Sequence, residues 1–406
     1  MATTLPRFIS ILVITTLTTV PTVRGWTITQ GVSQNLACGA DTALVPSQCP
    51  TCITAPQGPI KFVLPILNTD KGSTLFWQQV ITGATNAGKA LDIAVEIQGL
   101  DGNDLLCDSI KPYAELIRNA TATNPQGLVV IPYAPKGCAT DILPAISEAV
   151  AAGVPVIAIN SNPDVALANG ALMYVGQDET IAGAEACTRL STAIGKPNAT
   201  ILVLGLDDGT NPGIIARTAG CESVAKVVYV DTNVSPEADT QAAVEALQNN
   251  TDITAILGLG APNHVVAMIG AAEKAGRAPG QDIWLATFDW GPINATEALS
   301  EGVLEFVVDQ QAPLQGSIPV QMLYTKAAVG LFPTTNKLLT GPRIVYKNET
   351  FAGTGQLSAC SSFALPYCGS CSGGGGGGIG NGTTSSADSL RATVAVVLAM
   401  MVAVVA

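Results

Sequence analysis

Two α/β lobes, each a parallel sheet flanked by helices, are what this sequence predicts. Apolar runs rich in Val and Ile recur roughly every 30 residues through the middle of the chain, and they fall into two series. Segments with apolar residues at spacings of three and four separate them. Runs this continuously apolar are buried on both faces, which is the mark of parallel strands covered by helices on either side.

The first series reads "KFVLPI" (61–66), "DIAVEI" (92–97), "GLVVI" (127–131) and "VPVIAI" (154–159). The second reads "TILVLG" (200–205), "KVVYV" (226–230), "ITAILG" (253–258) and "IWLATF" (283–288). Between the first two strands, "LFWQQVITGATNAGKAL" places Phe76, Val80, Ala84, Ala87 and Leu91 on one helical face. Each lobe is then doubly wound and Rossmann-like, with ligands expected outside the carboxyl ends of the strands. One stretch stands out against this pattern. In "VLEFVVDQQAPLQG" (303–316) an apolar strand ends in Asp309, Gln310 and Gln311. Buried carboxamides are unfavourable unless something hydrogen-bonds them, so that strand end meets either solvent or a polar ligand.

Both ends of the chain carry processing signals. Arg7, the apolar run "FISILVITTLTTV" and the exit "PTVRG" read as a secretory signal peptide over residues 1–25. The far end passes from a Gly/Ser stretch through a polar spacer into apolar residues from Ala392 onward. That run is short of the ~20 residues a spanning helix needs and has no charged flank, so it reads as a GPI-anchor signal. Sequons at Asn119, Asn198, Asn233, Asn249, Asn294, Asn348 and Asn381 fit a secreted glycoprotein displayed on the outer leaflet of the plasma membrane.

The chain has 10 cysteines, and an oxidising compartment implies disulfides. Cys107 lies near Cys138 in sequence, and Cys187 near Cys221, and these are the expected pairs. Cys38, Cys49 and Cys52 precede the main domain, and Cys360, Cys368 and Cys371 follow it. If those six pair only among themselves, at least one bridge joins the two ends. The competing reading is zinc, since Cys49–Cys52 and Cys368–Cys371 have zinc-ribbon spacing. The expectation is disulfides, with no metal and no cofactor.

A formal net charge of −12 and a pI near 4.5 argue against nucleic acid and anionic membrane surfaces as partners. The spacing Gly83-Ala-Thr-Asn-Ala-Gly88-Lys89 mimics a phosphate loop, but Ala90 stands where a hydroxyl would hold magnesium, and a helix encloses it. The single histidine, His264, opens a helical stretch and reads as a surface or cap residue. No Gly-x-Ser-x-Gly is present, and no catalytic constellation emerges.

The fragments "STLFWQQVITGATNAGKAL", "AVAAGVPVIAINS", "GIIARTAGCESV", "IWLATFDW" and "VVDQQAPLQG", in that order, resemble the type I periplasmic binding proteins, in their ribose-binding-like, simple-sugar group. The resemblance spans roughly residues 58–350 and includes the closing "TGPRIVYKNET". It implies two lobes joined by three crossing strands, with a sugar in the cleft between them. Together with the end signals, this divides the chain into the signal peptide (1–25), an N-terminal Cys-containing stretch (26–57), an N-lobe (58–176 and 311–339), a C-lobe (177–310 and 340–350), a Cys-containing tail (351–372), a linker and spacer (373–391) and the anchor signal (392–406).

Ligand-binding positions carry over one by one. The aromatic pair that opens the first helix matches Phe76-Trp77, with Thr74 beside it; flat rings suit the apolar face of a sugar. A polar residue after the fourth strand matches Asn160, although the family's Asp-Arg is here Asn160-Ser161. An Arg-x-x-Gly pattern matches Arg217, the strand-ending Asp matches Asp289 with Trp290 after it, and a Gln at the third crossing matches Gln310. Where relatives have Asn before the helix of His264, this chain has Ala261, with Asn263 nearby. Each also has an ordinary reading: Arg217 as a solvated helix charge, Asp289 as a helix cap, the aromatic pair as core. The pair is expected to line the cleft, because adjacent helix positions do not both face one core.

The resulting expectation is a non-catalytic, surface-anchored protein that closes its lobes on a small neutral sugar or polyol. The alternatives are a receptor or adhesion ectodomain for a non-sugar ligand, and a glycan-active enzyme, which would need two opposed cleft carboxylates.

Overall fold

The computed structural model describes residues 58–65, 74–100, 107–138, 140–206, 210–232 and 235–347. The expected signal peptide and anchor signal, with Cys38, Cys49, Cys52, Cys360, Cys368, Cys371, Asn233, Asn348 and Asn381, lie outside the described residues.

The chain runs β1 (Ile60–Leu64), α1 (Thr74–Leu91), β2 (Val95–Gly99), α2 (Cys107–Ala122), β3 (Gly127–Val130), α3 (Ile142–Ala151), β4 (Val156–Ile159), α4 (Pro163–Ala168), β5 (Met173–Gln177) and α5 (Glu179–Ile194). It then repeats that order: β6 (Thr200–Gly205), α6 (Pro212–Glu222), β7 (Lys226–Asp231), α7 (Pro236–Asn249), β8 (Ile253–Gly258), α8 (His264–Lys274), β9 (Trp284–Phe288), α9 (Ala295–Glu301), β10 (Phe306–Asp309) and α10 (Ala312–Val329). Two strands close the series, β11 (Lys337–Gly341) and β12 (Arg343–Tyr346).

Two sheets of six strands result, ordered β2-β1-β3-β4-β5-β11 and β7-β6-β8-β9-β10-β12. All pairings are parallel except β10–β12, which is antiparallel. Strands β1, β3, β4, β5, β6 and β10 are buried at every position, as strands covered on both faces must be. The predicted ends shift slightly. Strand β2 begins at Val95 rather than Asp92, because Asp92 adopts a left-handed φ of 53° to leave α1.

The chain passes between the sheets three times: from β5 into α5, from β10 into α10, and from β11 to β12 through Gly341-Pro342. Gln310 therefore sits on the second crossing in chain order, not on the third. After each of the first two crossings the helix packs on the first helix of the lobe it enters, α5 on α6 and α10 on α1. Both contacts use the same device. A Cβ on Gly183 would lie 1.9 Å from the Arg217 carbonyl oxygen, and one on Gly220 would lie 2.0 Å from that of Thr180. In the other lobe, a Cβ on Gly316 would lie 1.9 Å from the Val80 oxygen, and one on Gly83 would lie 2.0 Å from that of Pro313. Paired glycines let the helix backbones touch.

Cys107 is bonded to Cys138 and Cys187 to Cys221. The first joins the start of α2 to the β3–α3 loop, and the second staples α5 to α6, so neither crosses between the sheets. Closing loops with sequence separations of 31 and 34 stabilises by about 3–4 kcal/mol each in the chain-entropy account. Among the described residues, no helix is long and apolar enough to cross a membrane.

Gly83→Ala and Gly220→Ala should each destabilise by about 1–3 kcal/mol or more, because the added methyl meets backbone rather than a movable side chain. Urea unfolding measures this, and the two losses should be of similar size. Neutral substitutions would mean that the helices can part freely.

Candidate ligand-binding site between the lobes

In an open parallel sheet, the strand ends that carry no continuing ladder are where polar groups gather. Here a loop that leaves the carboxyl end of one sheet meets a loop that leaves the carboxyl end of the other. Lys136, in the β3–α3 loop, donates its backbone N–H to the carbonyl of Thr210, in the β6–α6 loop, at 3.0 Å. The two lobes touch at that point.

Asp289 follows β9 directly and adopts a left-handed φ of 65°, a conformation Asp tolerates better than most residues. Its backbone N–H donates to the Val308 carbonyl at 2.9 Å, which carries the β9–β10 pairing one residue past the end of β9. The carboxylate receives the Gln310 amide, whose Nε2 lies 2.8 and 3.0 Å from its two oxygens. Burial pushes the Asp289 carboxyl up to about 7, while Arg217 and the Gln310 amide pull the other way.

Arg217, on α6, is buried, and three of its five N–H groups are committed. Its Nε and Nη2 donate to the two Glu179 carboxylate oxygens at 2.6 and 3.2 Å, and Nη1 donates to the Leu259 carbonyl at 2.7 Å. Nη1 also lies 4.0 Å from an Asp289 oxygen. The guanidinium rests on the Phe288 ring, 4.4 Å from its centroid. Burial acts to lower its pKa, but Glu179 and then Asp289 more than offset this, and the net direction is up. Arg217 is not a solvated helix charge.

Glu179 escaped the sequence reading. It is the first residue of α5, just past the first crossing, and Gln177 donates its Nε2 to the carboxylate at 2.6 Å. A signal was present: "GQDETIAG" (176–183) mirrors "DQQAPLQG" (309–316). In each, a Gln stands at the strand's end (the last residue of β5, the first after β10), the next residue is the helix N-cap, and a glycine follows six residues after the Gln. The repeat makes Gln177 the counterpart of Gln310. Both carboxamides have their nitrogen engaged and their oxygen buried without a partner, as does Gln315 Oε1 on α10. The third crossing closes over them. Thr340 Oγ1 donates to the Gln310 carbonyl at 2.7 Å, and a Cβ on Gly341 would lie 3.0 Å from Gln177 Oε1.

His264 is neither a surface nor a cap residue. It is fully buried, and its Nδ1 accepts from the N–H groups of Gly260 and Ala261 at 3.2 and 3.1 Å. Its Nε2–H therefore faces the Thr232 hydroxyl and the Gly205 carbonyl, at 2.8 and 3.1 Å. Burial pushes its pKa down to about 4, against the pull of Gly205. The neutral ring ties the β8–α8 loop to the end of β6. That loop carries the Leu259 carbonyl that holds Arg217, and Gly260, where a Cβ would lie 2.9 Å from the Asp289 carboxylate.

The remaining candidates are less central. Trp290 is half-buried against the C-lobe core and hydrogen-bonds Asp309. Asn160 follows β4 in a left-handed conformation, φ 69°, at the position in the first half that matches Asp289 in the second. Ser161 beside it has a buried hydroxyl with no partner. Trp77 belongs to the N-lobe core, and the half-buried Phe76 packs against the same cluster, edge to face with Trp77 at 4.9 Å. Adjacent positions on α1 thus do share one core, so the argument that divided them between core and cleft does not hold. Thr74 opens α1, but its side chain is outside the described residues. Among the described residues, no group of three or more His, Cys, Asp or Glu side chains is placed to hold a metal.

Asp289 and His264 impose opposite pH dependences. The folded protein holds the Asp289 proton up to about pH 7, whereas the unfolded chain releases it near 4. The stability from this group is therefore present in full below about pH 4 and is lost as pH rises toward 7. For His264 the stability is complete above about 6.5 and is lost as pH falls toward 4. Asp289→Asn should abolish only the alkaline loss, so its stability relative to wild type should grow by about 1–3 kcal/mol from pH 5 to 8. Chemical unfolding across that range tests this; a pH-independent difference would show an ordinary carboxyl.

Comparison with known proteins agrees with this architecture. A periplasmic binding protein domain matches residues 64–330, well over half of the chain. Among solved structures, a carbohydrate transporter from Acidothermus cellulolyticus 11B in complex with myo-inositol is 26% identical, with a TM-score of 0.60 over 77% of this chain and 99% of that one. The glucose-galactose binding protein GanP from Geobacillus stearothermophilus is 20% identical, with a TM-score of 0.59 over 72% and 99% of the two chains. A periplasmic ribose ABC transporter from Conexibacter woesei DSM 14684 is 21% identical, with a TM-score of 0.59 over 72% and 93%. No curated protein sequence matches the chain. By its domain and its two-lobed fold, this chain belongs to the periplasmic binding protein family.

Proposed function

We propose that this protein is a non-catalytic, surface-displayed solute-binding protein that captures a small neutral sugar or polyol between its lobes and closes about the crossings. The observation that carries the reading is the set of buried carboxamide oxygens at the crossings, Gln177 Oε1, Gln310 Oε1 and Gln315 Oε1, none with a hydrogen-bond partner. Each such acceptor costs about 1–3 kcal/mol while unpaired. Polyol hydroxyls donate and accept at once, so one ligand can serve these oxygens, the Asp289 carboxylate and the two uncommitted Arg217 N–H groups. Relatives of this fold hold myo-inositol and D-allose, which are uncharged polyhydroxy compounds of this kind. Asn160, Trp290, Phe76, Trp77 and Thr74 complete the proposed lining. A ligand that contacts both lobes stabilises the closed arrangement by its differential affinity for it.

Surface display rests on the sequence signals at the two ends and on the sequons. Asn119, Asn198, Asn249 and Asn294 are all exposed, as glycan acceptors must be. The bridges Cys107–Cys138 and Cys187–Cys221 suit the same oxidising compartment.

Thermal-shift and calorimetric screening of the ectodomain against monosaccharides, inositols and amino acids tests the binding. A neutral polyol should bind with a Kd of about 1 μM, or roughly −8 kcal/mol. Asp289→Asn should weaken it by about 30-fold to 1,000-fold while the protein stays folded. Arg217→Ala is a poorer probe, because it strands the Glu179 carboxylate in the interior. Binding of amino acids alone, or turnover of a glycan, would replace this reading with one of a receptor or an enzyme.

Phosphatidylinositol-specific phospholipase should release the protein from intact cells. Its retention, alongside release of a GPI-anchored control, would mean a different mode of attachment.

A further inference from the structure

A buried arginine facing a cleft is, by itself, a site for anions: its planar fork matches carboxylate and phosphate oxygens. Arg217 does not present itself this way. Its side chain and that of Glu179 are both 7% exposed, and Glu179 takes two guanidinium N–H groups on its two oxygens. Glu179 is itself held by Gln177 and stands at the amino end of α5, where the helix dipole favours a negative charge. The guanidinium cannot swing away from it, because Phe288 lies under one face and the Leu259 carbonyl fixes Nη1. The two N–H donors left over belong to a guanidinium whose charge is already matched, and beside its Nη1, at 4.0 Å, stands a second carboxylate, Asp289. An anion entering here would find hydrogen bonds and no net positive charge.

We infer that Glu179 is the specificity-determining residue of this site. By matching the charge of Arg217, it admits uncharged polyols and excludes their carboxylate and phosphate counterparts. This rests on the proposed sugar-binding function and names its ligand class. Glu179 acts through Arg217 and is a positioning residue.

The test uses pairs of probes that differ by one anionic group: D-glucose with D-glucuronate, and myo-inositol with myo-inositol 1-phosphate. Affinities are measured calorimetrically on the intact ectodomain. Wild type should favour the neutral member of a pair by 100-fold or more. Glu179→Gln keeps the shape and one acceptor for Arg217 but removes the charge. It should narrow that preference at least ten-fold, through tighter binding of the anion, and added salt should reverse the gain. Glu179→Asp, which keeps the charge, should retain the preference. A role confined to folding would weaken both members of a pair equally and leave the ratio unmoved.

Wild-type protein that binds a neutral probe and its anionic partner equally would overturn the inference, whatever becomes of the variants, and leave the sugar-binding function standing. So would an unchanged ratio in folded Glu179→Gln. Failure of wild type to bind either member of both pairs, with a non-sugar ligand found by screening, would remove the functional reading and this inference together.

Discussion

A guanidinium taken out of water must be met by charge and by hydrogen bonds, or its burial costs several kcal/mol. The second lobe is arranged around meeting that requirement for Arg217. Glu179 lies within reach only because α5 and α6 touch backbone to backbone at Gly183 and Gly220, and Gly183 faces the carbonyl of Arg217 itself. The Cys187–Cys221 bridge holds the same two helices together. A third donor of the fork depends on the Leu259 carbonyl, in a loop fixed by the neutral ring of His264. Helix packing, a disulfide and a buried histidine thus converge on one side chain.

The first lobe repeats the packing without the charge. Gly83 and Gly316 bring α1 and α10 as close as α5 and α6, yet Val80 occupies on α1 the place that Arg217 holds on α6. The charged half of the candidate site belongs to the second lobe. The first supplies Asn160 and Ser161, uncharged hydrogen-bonding groups. On the proposed function, a ligand would meet an uncharged wall on one side and a charged but balanced one on the other.

The sequence displayed the strands well because each is apolar along its whole length, and burial on both faces needs no alternation to be recognised. It displayed helix α1 through Val80, Ala84, Ala87 and Leu91, all of which are buried. What it concealed was context. His264 reads as polar wherever it stands, and only the arrival of the Gly205 carbonyl and the Gly260 and Ala261 N–H groups makes it a core residue. Glu179 was hidden because its partner lies 38 positions away, on a helix brought near by glycines. The Phe76–Trp77 argument failed because an edge-to-face pair can turn both rings toward one cluster. Asp289 and Gln310 were legible as a strand-end Asp and a crossing Gln, but the hydrogen bond that joins them was not.

That bond explains why the apolar strand of residues 303–316 can end in an acid and two amides. Asp309 is held by the Gln311 backbone N–H and by Trp290, Gln310 spends its nitrogen on Asp289, and Gln311 reaches the Thr340 carbonyl with its own. Donors are therefore used up within the crossings, and what is left over is acceptors. An interior with spare acceptors and few spare donors discriminates by hydrogen-bond sense: it favours ligands rich in O–H groups over ligands whose oxygens only accept. The same imbalance recurs at Gln177, the counterpart of Gln310 in the other half of the chain. On the proposed function, the hydroxyls of a ligand would satisfy acceptors that both crossings leave buried and unpaired, a burial that is otherwise unfavourable.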